Sequence, residues 1–284
     1  MGSVCVEIAV RDDPRLGEAL ASLARQSRKP DRVLIAASVD SPRELLERAV
    51  RAHPEIAVRV ARFPGGVVDA RAGAQALIEE QTTIFLDSDE VAPPGWLEKI
   101  VRPIEDGTAE FSGGPTRPSR PALTSIERYT ELLEASIYED LVPERVTYLP
   151  LQNTAWRSDV LRTLGFDPRI PFAEDHDLES RAVRAGFRGT FVPEAWVFHH
   201  TGGGSSLYGW ARKRYRYLVA MAMSLLKNGG LGRRLVERRR PVRHRLRYVE
   251  AAMKPIALVH ARFRWSRSRR QELVAPAPVP ESRA

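Results

Sequence analysis

The chain of 284 residues carries 44 Lys+Arg against 36 Asp+Glu, a formal net charge of +8, with 43% hydrophobic residues and one cysteine. That hydrophobic content excludes wholesale disorder, and the lone Cys5 excludes a disulfide framework or a Cys-rich zinc module. The longest apolar run, residues 217–226, falls short of the roughly 18 residues of a membrane span, and the first residues lack a signal-peptide pattern, so a cytoplasmic start is expected.

Residues 5–10 (CVEIAV) are β-branched and mostly apolar, as a buried parallel strand should be. Arg11-Asp12-Asp13-Pro14 breaks the run, and Leu16, Leu20, Leu23 and Ala24 then recur at helical spacing as far as Ser27. The pattern predicts a second strand over 32–37, a helix over 42–53 and a third strand over 56–61. Pro64-Gly65-Gly66 is a turn before a helix over 69–81, and a fourth strand over 83–86 stops at Asp87-Ser88-Asp89-Glu90. This alternation predicts an α/β fold with a doubly wound, mostly parallel sheet and right-handed crossovers. Ligands of such sheets bind beyond the carboxyl ends of strands, where the acidic cluster falls.

The second half is less regular. A short helix from Pro93-Pro94-Gly95-Trp96 to residue 104 precedes a strand over 109–113, a helix over 124–139, a strand over 148–156 and a helix over 158–164. Residues 172–177 (FAEDHD) lead into a helix through 185 that Gly186 caps, and strand-like segments surround Pro193 within 187–200. Residues 201–206 (TGGGSS) read as a flexible loop ahead of a basic helical region. The chain therefore divides into a body over 1–204, a basic helical extension over 205–270 and a disordered Pro/Ala-rich tail over 271–284. Charge follows the same division: residues 205–270 hold 19 Lys+Arg and two acids, Glu237 and Glu250, a net of +17, and the rest of the chain is −9. Such asymmetry points to a polyanion, either nucleic acid or an anionic membrane surface.

Several residues can carry chemistry. Asp87 and Asp89, two apart at a strand end, can share a hard divalent cation on a diphosphate, although Asp-Ser-Asp also serves surface turns by satisfying backbone donors. Glu174, Asp175 and Asp177 open a helix, where capping and the helix dipole favour acids. The functional reading is that Asp175 acts as general base. His199 or His200 can complete a coordination sphere begun by the aspartates, or simply end a strand. Arg71 opens the helix before the fourth strand and can face a phosphate or carboxylate.

The order of these parts, with residues 19–36 (ALASLARQSRKPDRVLIA), 63–101 (from FPGGVVDAR through FLDSDE) and 149–200 (from LPLQNTAW through FAEDHD to VFHH), resembles the GT-A-fold, family-2-like inverting glycosyltransferases over roughly residues 5–200. The resemblance implies a donor half over 1–105 and an acceptor half over 106–204. It implies that Asp87 and Asp89, with His199 and with His200 as fallback, hold Mg²⁺ or Mn²⁺ on the diphosphate of a nucleotide-sugar donor. Asp175 then matches the catalytic base, Glu174 orients it or the acceptor, and Arg71, Asp87 and Asp12 line the donor site. Where that family has a Pro-x-x-Asn turn and an acidic second-strand end, this chain reads Val10-Arg11-Asp12-Asp13 and Ala36-Ala37-Ser38, so the donor base is left unassigned. The expected acceptor is a hydroxyl of a glycan, lipid-linked carrier or small molecule.

Residues 207–218 (LYGWARKRYRYL) interleave aromatic and cationic side chains before the apolar 220–226. Trp210, Arg212, Lys213, Arg214 and Tyr215 are the expected contacts with an anionic membrane surface, at the inner face of the cell membrane. The competing readings are stacking on a single-stranded nucleic acid, with the protein a nucleic-acid binder or metal-dependent nuclease, and a solvated helical face. A nucleotide-sugar-binding scaffold without catalysis is a further alternative.

Overall fold

Strand β1 (Val4–Val10) is almost wholly apolar because it lies inside a sheet covered on both faces. The computed structural model describes residues 2–139, 141, 146, 148–200, 206–229 and 242–274, with side chains as far as residue 268. In it β1 is flanked in parallel by β2 (Arg32–Ser38) and β4 (Thr82–Leu86), and β3 (Val58–Phe63) lies parallel at the edge. Beyond β4 the direction reverses. Strand β8 (Asn153–Arg157) runs antiparallel to both β4 and β6 (Phe111–Gly113), and β9 (Gly189–Phe191) ends the sheet parallel to β6.

Alternation along the strands sorts side chains into separate cores. Val6, Ile8, Val33, Ile35 and Ile84 face α1 (Leu16–Ala24), α2 (Arg43–Arg51) and α4 (Trp96–Glu105). Cys5, Leu34 and Ala36 face α3 (Val67–Gln75), and burial pushes the Cys5 thiol up to about 12, which makes it inert. Phe85, Phe111 and Trp156 pack with α6 (Ser158–Leu164) and α7 (Glu174–Arg184), the Phe111 and Trp156 rings stacked at 4.3 Å.

Two predicted elements are shorter in the structure. Helix α3 begins at Val67, where Gly65 takes a φ of 88° and Asp69 accepts the Gly66 N–H at 2.7 Å. It ends six residues before the expected limit, because tight turns from Leu77 to Ala74 and Ile78 to Gln75 redirect the chain into β4. The strand expected over 148–156 begins only at Asn153, since the Leu149 N–H donates to the Glu179 carboxylate at 2.9 and 3.1 Å instead of joining a ladder.

A small sheet lies beyond the carboxyl end of β4. In it β10 (Val197–His199) pairs antiparallel with β5 (Glu90–Val91) and parallel with β7 (Thr116–Pro118). This depends on a close backbone approach: a Cβ on Gly114 would lie 1.8 Å from the Ala195 carbonyl oxygen. Helix α5 (Ser125–Tyr138) starts at a capping box, Thr124 accepting the Glu127 N–H at 3.1 Å and Glu127 the Thr124 N–H at 3.2 Å.

Among the described residues the basic extension is two helices, α8 (Leu207–Asn228) and α9 (Leu246–Val274), and they are docked on the body. Apolar Val219, Met221 and Met223 are buried with Ile170 and Ala173 of the body and with Ala257 and Ala261 of α9. Trp210 is buried against Tyr129, ring centroids 5.8 Å apart, and Arg214 is held by Glu250 at 2.8 and 3.0 Å. Neither is an outward contact, which corrects the expectation for both. Arg212 and Lys213 are exposed, and Tyr215 is half-buried with its hydroxyl 3.1 Å from His260. Among the described residues no helix is long and apolar enough to cross a membrane. Helix α9 also continues through 271–274, inside the expected tail, while 275–284 and the loop at 201–205 lie outside the described residues.

The third acid of the 174–177 cluster joins α7 to α8. Asp177 accepts from Lys227 at 2.9 Å and from Asn228 at 2.9 Å, and Lys227 also donates to Asp167 at 2.7 Å. Burial alone would raise the Asp167 carboxyl, but hydrogen bonds from Arg169 and Lys227 outweigh it and hold the group well below the ordinary carboxylate range. Replacing Asp177 by Ala takes one acceptor each from the buried Asn228 amide, the Lys227 ammonium and the Arg181 guanidinium. It should cost about 3 kcal/mol, seen as a lower urea midpoint at an unchanged slope.

Candidate active site

The end of β4 and the start of α7 come together on one side chain. Arg71, from the first turns of α3, is 5% exposed and donates through Nη2 to Asp87 Oδ1 at 2.9 Å and through Nη1 to Glu174 Oε1 at 2.7 Å. Its planar fork suits two carboxylates at once. Burial would depress the Arg71 pKa, but Asp87, Glu174 and Glu7 together raise it, so the cation is secure. Asp87 itself is raised, by burial and by Asp89 against the pull of Arg71.

Asp89 is held from three directions. His199 Nε2 and Arg15 Nη2 each lie 3.5 Å from its Oδ2, and its carbonyl accepts the His200 N–H at 2.9 Å. Burial raises the Asp89 carboxyl, yet His199 and Arg15 bring it below the ordinary range. His199 also faces Glu134 of α5, Nδ1 to Oε2 at 3.2 Å, and the two acids keep its imidazole protonated against burial. His200 turns to Ser119 at 3.0 Å and Glu18 at 3.2 Å. Of the two histidines, the geometry therefore brings His199 to the aspartates.

Asp175 lies beside Glu174 on the first turn of α7. It accepts a short hydrogen bond from the Tyr148 hydroxyl and another from the His176 N–H at 2.7 Å. Burial, then the neighbouring Glu174, push its carboxyl far above the usual range, although Tyr148 and Arg71 pull the other way. Just before this turn Phe172 takes a φ of 70°, uncommon for a bulky residue, and such conformations gather at functional sites. Asp12, an expected donor contact, is exposed in the turn after β1. Its neighbour Asp13 turns inward, bonded to Arg15 at 2.8 Å and accepting from Ser88 at 3.4 Å.

Three participants escaped the sequence reading. Tyr148 was assigned to a strand, and Glu90 looked like part of a turn. In the structure Glu90 is buried, accepts the Asp87 N–H at 3.0 Å, and is raised well above its ordinary value by burial. Glu7, at the middle of β1, is 1% exposed and neither carboxyl oxygen has a hydrogen-bond partner among the described residues. Burial pushes it up to about 8 despite Arg71 nearby. The available signal was an acid within an apolar run.

A divalent cation has a plausible donor set in chemical terms. Among the described residues no three His, Cys, Asp or Glu side chains gather as a ready-made cage. Asp87 and Asp89 do present hard oxygens, and Mg²⁺ or Mn²⁺ is commonly held by one or two carboxylates, with water and substrate phosphate completing the shell. His199 would have to surrender a proton before it could ligate.

A family model described as glycosyltransferase like family 2 matches residues 4–220. The chain belongs to the family-2-like glycosyltransferases. The pre-mycofactocin glycosyltransferase of Mycobacterium tuberculosis is 30% identical over 157 residues, 53% of this chain and 33% of that protein, so the match spans about a third of the relative's length. The mannosyltransferase of Pyrobaculum calidifontis, solved with GDP-Man and Mn²⁺, superposes with a TM-score of 0.62 at 17% identity over 98% of this chain and 77% of that one. S. aureus TarS 1–349, solved with UDP-GlcNAc, gives 0.59 at 14% identity over 96% and 76%. These likenesses are of fold. This family-2-like chain has the mixed, mostly parallel GT-A sheet, with helices added after it.

The isolated acid of β1 offers a clean test. A carboxyl raised in the folded state contributes stability that is present below the unfolded pKa and lost as pH rises through the folded one. The wild type should therefore lose stability relative to Glu7→Gln between about pH 4.5 and about 8, measured as urea midpoints across that range.

Proposed function

We propose that this protein transfers a glycosyl group from a nucleoside-diphosphate sugar to an acceptor hydroxyl, with inversion at the anomeric carbon. The observation that carries this reading is the Arg71 bridge, which ties Asp87 at the end of β4 to Glu174, the neighbour of a raised carboxyl on α7. Asp87 and Asp89 would hold Mg²⁺ or Mn²⁺, which when bound neutralises the charge that develops on the departing diphosphate. Asp175 takes the proton of the acceptor hydroxyl as its oxygen attacks the anomeric carbon. The carbon–oxygen bond to the diphosphate breaks, and the nucleoside diphosphate leaves on the opposite face. A single displacement of this kind inverts the centre.

The supporting side chains have definite tasks. Arg71 holds Glu174 in place beside the base. Tyr148 donates to Asp175 and so orients the carboxylate that must face the acceptor. Asp13 and Arg15, both beside the β4 turn, line the donor side in place of Asp12. For the acceptor we infer a glycan, carried on a lipid or as a small molecule, at the inner face of the cell membrane. That inference is supported by the +17 balance of residues 205–270.

With a nucleotide-sugar donor and Mn²⁺, Asp175→Asn should lower kcat about 10²–10⁴-fold while leaving donor affinity unchanged. Asp89→Ala should instead abolish the Mn²⁺ dependence of donor binding in a thermal-shift titration. Full turnover in both variants would refute the assignment.

Tyr148→Phe tests the base through its pH profile. The raised carboxyl must lose its proton before it can accept another, so kcat/KM should rise with pH along a limb lying well above the ordinary aspartate range. Removing the hydroxyl that stabilises the ionised form should move this limb to still higher pH. An unmoved limb with reduced activity would make Tyr148 a packing residue only.

A further inference from the structure

Helix α9 has two faces with different surroundings. Glu250, Ala257 and Ala261 are buried on the α8 side. On the other side Val249, Ala252, Ile256, Val259 and Phe263 recur at alternating intervals of three and four residues and so form one stripe. Ile256, Val259 and Phe263 are 62%, 68% and 67% exposed, and Tyr248 at the end of the stripe is 67% exposed. Arg245 and Arg267 mark the ends of this stripe and Arg262 and Arg264 its flanks, all four exposed. From residue 243 to 268 the only acid is Glu250, and it is buried and bonded to Arg214 and Tyr129.

We propose that this uncovered face of α9 docks the protein on a membrane surface carrying anionic headgroups. Ile256, Val259 and Phe263 enter the acyl boundary, and Arg245, Arg262, Arg264 and Arg267 meet the headgroups. A basic helix with a continuous apolar stripe has the composition that lies in such an interface. A second copy of the chain fits the same seam less well. Its flanking positions hold Arg262 and Arg264 and no acid, so two such helices would oppose cation to cation in either orientation. The proposal deepens the membrane part of the proposed function and relocates the contact from residues 207–218 to α9.

The test is co-sedimentation of the full chain with vesicles of phosphatidylcholine alone or with about one third phosphatidylglycerol, at about 0.1 M salt. Wild type should partition at least about tenfold more strongly onto the anionic vesicles, and Ile256→Asp/Phe263→Asp should lose at least about tenfold. Arg262→Glu/Arg267→Glu should lose the preference for anionic lipid, and circular dichroism confirms that these exposed substitutions leave the fold intact. Donor binding with Mn²⁺ in vesicle-free solution should be unchanged in the α9 variants, and Asp175→Asn should bind vesicles like wild type, so the docking and the chemistry can fail separately. Partitioning that ignores Ile256 and Phe263, or that is equal on neutral and anionic vesicles, would overturn the proposal. So would a wild-type dimer that binds no vesicles and that Ile256→Asp/Phe263→Asp dissociates.

Discussion

A guanidinium with almost no access to water joins the two halves of the candidate site. Arg71 meets Asp87 on one side and Glu174 on the other, with Glu7 and Asp175 close enough to feel its charge. One cation does not offset four carboxyls drawn together in a setting of low dielectric. Glu7 and Asp175, which it does not touch, climb to about 8 and well above the aspartate norm, and Asp87 is raised even with Arg71 beside it. The same charge deficit suits Asp175 to the proposed role of base and leaves Asp87 in want of a further positive charge. A metal-bound diphosphate is one chemistry that answers both conditions.

The first four strands were legible because their determinants are local. Apolar β-branched runs, helical spacing and a Gly-Gly turn lie within a few residues of what they specify, and strands β1 to β4 fall where those patterns place them. Arg71 meets Asp87 and Glu174, with Asp89 and Asp175 beside them in the chain. The departures are long-range in origin. The early part of the 148–156 run is drawn off by Glu179, thirty residues away in sequence. Asp13 rather than Asp12 points inward because Arg15 and Ser88 are there to receive it. Glu7 was passed over because an acid in an alternating strand usually faces water, whereas both faces of β1 are covered.

Charge arithmetic told less about the extension than its contacts do. Part of the positive segment neutralises the acidic body or itself: Lys227 serves Asp167 and Asp177, Arg214 serves Glu250, and the Arg169 guanidinium of the body lies 5.2 Å from the Trp265 ring centroid. The aromatic–cationic stretch at the start of α8 owes its composition partly to this interior, where Trp210 packs on Tyr129 and the following apolar run fills the space between α7 and α9. The cations left facing solvent on α9 accompany an apolar stripe rather than a polar one. That combination distinguishes this surface from an ordinary charged helix face.

Gly114 carries no charge, titrates over no pH range and takes part in no step of the chemistry. Yet the space for its missing side chain is already occupied by the Ala195 carbonyl, two residues ahead of β10. Any other residue at 114 must lever that strand outward, and His199 travels with it, away from Asp89 and Glu134. Loss of function at this position would be purely steric in origin. A survey of variants that looked only at polar side chains near the cleft would overlook one of the places where the cleft is most easily broken.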